Sequence, residues 1–166
     1  MFKYITQGKA DGISCGAFTL AYYEWEISGH AKAEAADRAY ISALYNDIVF
    51  GCAMPGFESY SNPMLMMRRL AKQGAKPVFH LGENPLIRQM LGVLSAAAKQ
   101  EVAQMKMLGM LCEAALDVEQ AAEYAILVCQ MLENGAPVNK LHYVLMKKSC
   151  DREPLILNTW HGEALP

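Results

Sequence analysis

Lys140-Leu141-His142-Tyr143-Val144-Leu145-Met146 and, after Arg152-Glu153-Pro154, Leu155-Ile156-Leu157-Asn158-Thr159-Trp160 are the two runs on which the fold class turns. Each is short and apolar, and the segment between them ends in a proline, so the pair predicts antiparallel strands joined as a hairpin. Upstream of Pro137 the character is helical. Cys15 to Ser28 is apolar and aromatic, with Gly29 as a stop. Ala31 to Phe50 is alanine-rich, carries Tyr40, Leu44 and Ile48 at four-residue intervals, and ends at Gly51. Asn62-Pro63 is a cap followed by a proline at the first helical position, closed by Gly74. Asn84-Pro85 repeats that signal, with Leu86, Met90, Val93 and Leu94 on one stripe. Gln100 to Ala115 predicts another helix, its limits blurred by Gly109. Asp117 with Gln120 reads as a capping box that opens a last helix along Val118, Ala121, Ala125, Cys129 and Leu132, stopped by Gly135. Lys76 to Leu81 predicts a short strand. Helices first and sheet last is the α+β arrangement, expected as a single domain over residues 1–166.

Composition narrows the function classes. The chain has 166 residues, 53% hydrophobic and 19% charged, which suits one folded domain rather than a disordered chain. A net charge of -2 with the signs mixed gives no basic stripe for nucleic acid and no polybasic segment for a membrane surface. Residues 1–12 lack the charged flank and apolar stretch of a secretory signal, and no run reaches the length of a membrane span. A cytoplasmic location is expected, which leaves room for an effector or toxin delivered to another cell. The five cysteines, Cys15, Cys52, Cys112, Cys129 and Cys150, form no CxxC pair, and their odd number leaves a free thiol. The four histidines do not fall at zinc-ligand spacing, so neither a metal nor a cofactor is expected.

The chemistry-bearing residues lie at the two ends. In Asp11-Gly12-Ile13-Ser14-Cys15-Gly16-Ala17-Phe18, a turn and a cap residue precede a helix that starts at Cys15. A thiol at a helix N-terminus sits by the positive end of the dipole, which favours thiolate and predicts a lowered pKa. Gly16 lets a carbonyl approach the Cys15 N–H, and Gln7 is a neutral amide that can complete an oxyanion hole with it. Downstream, His142 and Asn158 fall near one end of the expected hairpin. There the Asn158 side-chain oxygen can accept from one ring nitrogen of His142 and turn the other toward Cys15. Trp160 is placed to shield that bond. His142 is preferred as base over His80, which lies in a short uncertain segment, and over His161, which has no orienting residue after it. Taken singly, Cys15 reads as core filler, His142 as a half-buried strand histidine and Trp160 as a core aromatic. Their common order along the chain favours the catalytic reading.

These residues resemble the papain-like cysteine peptidase superfamily, whose members carry a glutamine, then a cysteine and Ala-Phe opening a long helix, then a distant histidine and Asn-Ser-Trp on the next strand. Gln7, Cys15 with Gly16-Ala17-Phe18, His142 and Asn158-Thr159-Trp160 stand at the matching positions. The compact size, and a helix running into Gly135-Ala136-Pro137 before His142, are similar to the bacteriocin-processing branch. The chain departs from the pattern in a longer gap between Gln7 and Cys15, in lacking the paired cysteines around the nucleophile, and in having Asn158 where that branch usually has aspartate. The resemblance covers both ends and leaves residues 29–134 without a family motif. It implies a papain-like α+β fold and a peptidase acting on a protein or peptide through a thioester. The same triad serves a glutamine deamidase or acyl-transferase effector. A further class is a non-catalytic binding module, in which Met64, Met66, Met67, Met105, Met107 and Met110 form an adaptable partner surface.

Overall fold

The computed structural model describes residues 5–7, 13–49, 59–85, 88, 96–112, 114–117, 119, 121–149, 153–160 and 164–165. The architecture is mixed α+β, with helices in the first part and a four-stranded antiparallel sheet at the end. The chain gathers into two compact units. One joins residues 1–47 to 121–166, and the other is residues 48–120.

The unit built from both chain ends is organised around α1 (Cys15–Ile27). Its sequence has no polar stripe, and ten of its thirteen residues are buried, as expected of a helix apolar on nearly every side. It stops as expected. Gly29 takes a positive φ of 60°, its N–H bonds to Glu26 O at 3.0 Å, and the His30 N–H bonds to Trp25 O at 3.0 Å. That double closure requires a left-handed residue, which glycine adopts without a Cβ clash. The His30 ring then stacks on Trp25 with centroids 5.6 Å apart. A 3-10 turn (Ala33–Ala36) leads to α2 (Arg38–Ile48), where Ile41, Leu44 and Ile48 are buried and Tyr40 is half-buried.

The sheet follows the order β3 (Tyr124–Glu133), β4 (Ala136–Lys147), β5 (Leu155–Asn158), β6 (Ala164–Leu165), every pair antiparallel. The expected β4–β5 hairpin is present, with Val144 opposite Asn158 and Leu145 opposite Leu157. The helix expected from Asp117 to Leu132 is not. From Tyr124 that segment is strand β3, paired along β4. The cause is Asn134-Gly135. Both residues have positive φ, 51° and 79°, and Glu133 faces Ala136 across them. Two left-handed residues in a two-residue loop make the tight turn whose twist matches a hairpin, and Asn-Gly is its preferred sequence. Gly135 therefore joins two strands where the sequence reading had it end a helix. The helix running into Gly135-Ala136-Pro137, part of the likeness to the bacteriocin-processing branch, falls with it. Pro137 is tolerated because β5 reaches only Val144 to Lys147, and among the described residues no strand pairs with that side of β4 at Pro137.

The sheet packs on α1 through Tyr22, Leu145 and Leu157, flanked by Ile5, Tyr23, Tyr124, Ile126 and Leu155. Thr19 Oγ1 adds a hydrogen bond of 3.1 Å to Tyr143 O.

The middle unit contains α3 (Pro63–Lys72), β1 (Phe79–His80), α4 (Ala96–Met107) and β2 (Leu111–Cys112). Asn62 caps α3 as its sequence predicts, its Oδ1 accepting from Met64 N at 2.9 Å. β1 and β2 pair in parallel, and α4 lies in the connection between them, as a parallel pair needs a long crossover. Met64, Met67 and Met105 form the core here. Met66 is buried as well, so these four methionines are interior, and only Met107 of the six is strongly exposed. Most of the helix expected after Asn84-Pro85, with Leu86, Met90, Val93 and Leu94, lies outside the described residues. Cys52, Cys150 and His161 lie there too.

Leu145 is 0% exposed and Leu132 is 63% exposed, which separates two chemically identical substitutions. Leu145→Ala is expected to destabilise the fold by about 2–5 kcal/mol. Leu132→Ala should stay within about 0.5 kcal/mol of the parent. Urea unfolding measures both, and equal losses would place the core elsewhere.

Candidate active site

The register of β4 against β5 brings Asn158 within two residues of His142 along the ladder, at the end of the pairing. Asn158 Oδ1 accepts from Trp160 N at 3.0 Å and lies 3.0 Å from His142 Nε2. The first bond fixes the second. A backbone N–H can only donate, so the atom it meets is the amide oxygen. The ring nitrogen facing that oxygen must then carry the proton. Neutral His142 is thereby held as the Nε2–H tautomer, with Nδ1 as its basic nitrogen. The Trp160 ring lies against the imidazole, centroids 4.7 Å apart at 39°. His142 is 6% exposed, whereas Trp160 remains 42% exposed.

Thr159, buried at 0% exposure, extends the cluster. Its Oγ1 donates to Gln7 Oε1 at 3.0 Å and lies 3.4 Å from His142 Nε2. The Gln7 N–H donates to Thr159 O at 2.8 Å. With Oε1 taken by a hydroxyl proton, the Nε2 amino group is the donor end of Gln7.

Cys15 is the first residue of α1, 4% exposed. Ser14 precedes it as the cap residue, but its side chain makes no capping bond. Burial pushes the Cys15 thiol up from its ordinary value, against the backbone N–H groups of Tyr143, Gly16 and Cys15 itself, which favour the thiolate. Desolvation therefore outweighs the helix terminus, contrary to the lowered pKa expected from the sequence. Thr19, one turn after Cys15 on α1, donates its Oγ1–H to Tyr143 O at 3.1 Å, which brings the start of α1 beside the residue that follows His142.

The structure thus joins Gln7, His142, Asn158, Thr159 and Trp160 in one hydrogen-bonded and stacked cluster, with the Cys15 thiol against the adjoining peptide of β4. Thr159 is the member that sequence reasoning passed over. In the sequence it stands only as the middle of Asn-Thr-Trp, and its hydroxyl is its one signal. His80 belongs to the middle unit. No group of three or more histidine, cysteine or acidic side chains suited to a metal ion occurs among the described residues. No helix among them is long and apolar enough to cross a membrane. Comparison with protein-family models, curated proteins and solved structures finds no match to this chain.

Burial raises the phenols of Tyr22 and Tyr143 as well, and for Tyr143 the neighbouring Cys15 adds to the rise. The sign follows from proton counts. Above the ordinary thiol and phenol ranges the unfolded chain has lost protons that the folded chain keeps, so stability falls as pH rises. Thermal unfolding between about pH 8 and pH 11 should show a falling midpoint. Cys15→Ala and Tyr22→Phe should each flatten that slope. A midpoint that rises with pH, or a slope indifferent to both variants, would contradict the burial of these groups.

Proposed function

We propose that this chain is a papain-like thiol hydrolase that cleaves peptide bonds, with Cys15 as nucleophile, His142 as base and Asn158 as the residue that orients the base. The observation that carries the reading is the fixed tautomer of His142. Asn158 Oδ1, itself locked by the Trp160 N–H, leaves Nδ1 as the proton acceptor. A general base depends on such an arrangement, because its basic nitrogen must be held in one tautomer and one direction.

The steps follow. His142 Nδ1 takes the Cys15 proton as the sulfur attacks the substrate carbonyl, forming a C–S bond and moving the carbonyl electron pair onto oxygen. The Cys15 N–H, at the first residue of α1 where the N–H groups have no partner within the helix, and the Gln7 Nε2–H group stabilise that oxyanion. Collapse expels the amine, which receives the proton from His142, and leaves a thioester. Water, deprotonated by His142, then attacks the thioester carbon, and a carboxylate and the free thiol result. The raised thiol makes proton transfer part of the attack, so His142 works as a general base on a neutral thiol. Thiol reactivity is then greatest where His142 is neutral.

The test is turnover of the activated ester p-nitrophenyl acetate and of a mixed fluorogenic peptide pool by folded variants. Cys15→Ala should abolish both. His142→Ala should lower them by about 10²–10⁴-fold, the scale of general acid–base catalysis. Asn158→Ala should be milder. Asn158→Asp, which keeps an acceptor for His142 Nε2, should retain most activity. Cys15→Ala with undiminished turnover would sink the proposal. Ester turnover without amide cleavage would redirect it to acyl transfer or deamidation.

A further inference from the structure

The site contains one group whose placement the triad does not explain. Gln7 lies eight positions before Cys15, and residues 5–7 belong to no helix or strand. Each residue of this segment is nevertheless tied down. Tyr22 OH donates to Ile5 O at 2.7 Å, Arg38 Nη2 donates to Thr6 O at 2.8 Å, and the Gln7 N–H donates to Thr159 O at 2.8 Å. The last two bonds involve one peptide group, because the Thr6 carbonyl and the Gln7 N–H share a single plane and point in opposite directions. β5 and its end hold the N–H side, and Arg38 holds the carbonyl side. A planar unit gripped at both ends cannot rotate, so the backbone from which the Gln7 side chain springs has a fixed direction. Thr159 Oγ1 then fixes the far end of that side chain by bonding Oε1.

Arg38 suits this task. It is the first residue of α2, and its guanidinium also lies over the ring of Phe18, 5.9 Å from the centroid. Phe18 is 2% exposed and sits on α1, one turn after Cys15. The same cation therefore touches the helix that carries the thiol and the peptide that carries the amide. A guanidinium can do both, with one edge donating and its face on an aromatic ring.

We propose that Arg38 is a positioning residue for the oxyanion donor. It holds the Thr6–Gln7 peptide so that the Gln7 Nε2–H group meets the developing oxyanion. The inference rests on the thiol-hydrolase reading above. In the reaction concerned, the Cys15 sulfur attacks the ester carbonyl, the C–S bond forms, the C–O bond to p-nitrophenolate breaks, and the thiol proton passes to His142. Arg38 exchanges no proton and touches no reacting atom.

The test compares two reactions of the same thiol, followed by mass spectrometry of the Cys15 peptide. Acylation by p-nitrophenyl acetate passes through an oxyanion. Alkylation by iodoacetamide, a displacement at a saturated carbon, does not. Arg38→Ala should slow acylation about tenfold, less than the 10²–10³ for outright loss of an oxyanion donor. Alkylation should stay within about twofold of the parent, since it does not use the donor that Arg38 positions. Arg38→Lys, which keeps a donor for Thr6 O, should recover part of the loss. In a Gln7→Ala background, Arg38→Ala should add nothing, because the group it acts through is gone. Parental acylation in Arg38→Ala, an equal loss of alkylation, or an undiminished Arg38 effect without Gln7 would each overturn the inference while leaving the triad standing. Cys15→Ala that is still turned over would overturn the triad, and this inference with it.

Discussion

The packing of α1 on β4 is the contact from which the rest of the site follows. α1 offers Tyr22 to Leu145 and Leu157, and Thr19 bonds to Tyr143 O. A helix this apolar has no stable exposed face, so the sheet must cover it. The contact runs from the Glu26–Lys147 end to Thr19, one turn from the helix start, so it also sets where the N-terminus of α1 falls along β4. That is beside Tyr143, and hence next to the peptide of His142. Position in the site is thus inherited from core packing. No separate element has to hold the thiol against the strand.

Burying α1 has an electrostatic cost, because the helix carries Glu24 and Glu26, both buried. Each is matched. Glu24 meets Lys32 and Tyr40, and Glu26 meets Lys147 at 2.7 Å, Tyr124 at 3.3 Å and His30 at 3.2 Å. For Lys32 desolvation pulls the ammonium down, and the bonds to Glu24 and Tyr40 more than reverse it. For Lys147 the bond to Glu26 is the leading cause of its rise. Removing one partner of such a pair leaves a carboxylate without compensation in a dry place, which costs more than the pair gains. These pairs therefore act on specificity. Glu26, through Lys147 of β4 and Tyr124 of β3, ties α1 to the sheet at one height, since a slip strands its charge. The register that places Cys15 is thus supported by a group eleven residues away from it.

How much of this was legible in the sequence depends on the range of the interaction. The β4–β5 hairpin was legible because two apolar runs flank a proline-ended turn, and period and turn agreed. From it followed the proximity of His142 and Asn158, which needs only strand register. The α1 and α3 boundaries were legible from Gly29 and from Asn62-Pro63. β3 was misread because Ala121, Ala125, Cys129 and Leu132 satisfy a helical spacing as well as a strand, and short apolar runs do not decide between the two. Asn134-Gly135 would have decided it, since glycine after asparagine signals a tight hairpin before it signals a helix stop. Thr159, Tyr22 and Arg38 were not legible as site residues. They are tied in by hydrogen bonds to atoms 17 to 152 residues away, two of them the backbone carbonyls of Ile5 and Thr6 and the third the Gln7 side-chain oxygen, and no local pattern encodes such pairs.

The thiol is where local and tertiary physics disagree, and magnitudes decide between them. A helix N-terminus stabilises a neighbouring anion by about 0.3–1 kcal/mol at the surface. That is less than the 1.36 kcal/mol of one pKa unit. Burial can raise an acid by as much as 3–5 units. At 4% exposure Cys15 is on the side where burial wins, although the backbone N–H groups of Tyr143, Gly16 and Cys15 itself favour the thiolate. Those donors still matter, because their effect is held in reserve. In the resting thiol they face a weakly polar sulfur. Once the proton leaves, they face a full charge in a region with little water, where each is worth most. Donors that stabilise the charged form pull toward the thiolate, but burial outweighs them here, so the proton has to be removed by a base. On the proposed reading, the three N–H groups lower the barrier as His142 takes the proton, which ties the nucleophilicity of the thiol to the tautomer of His142.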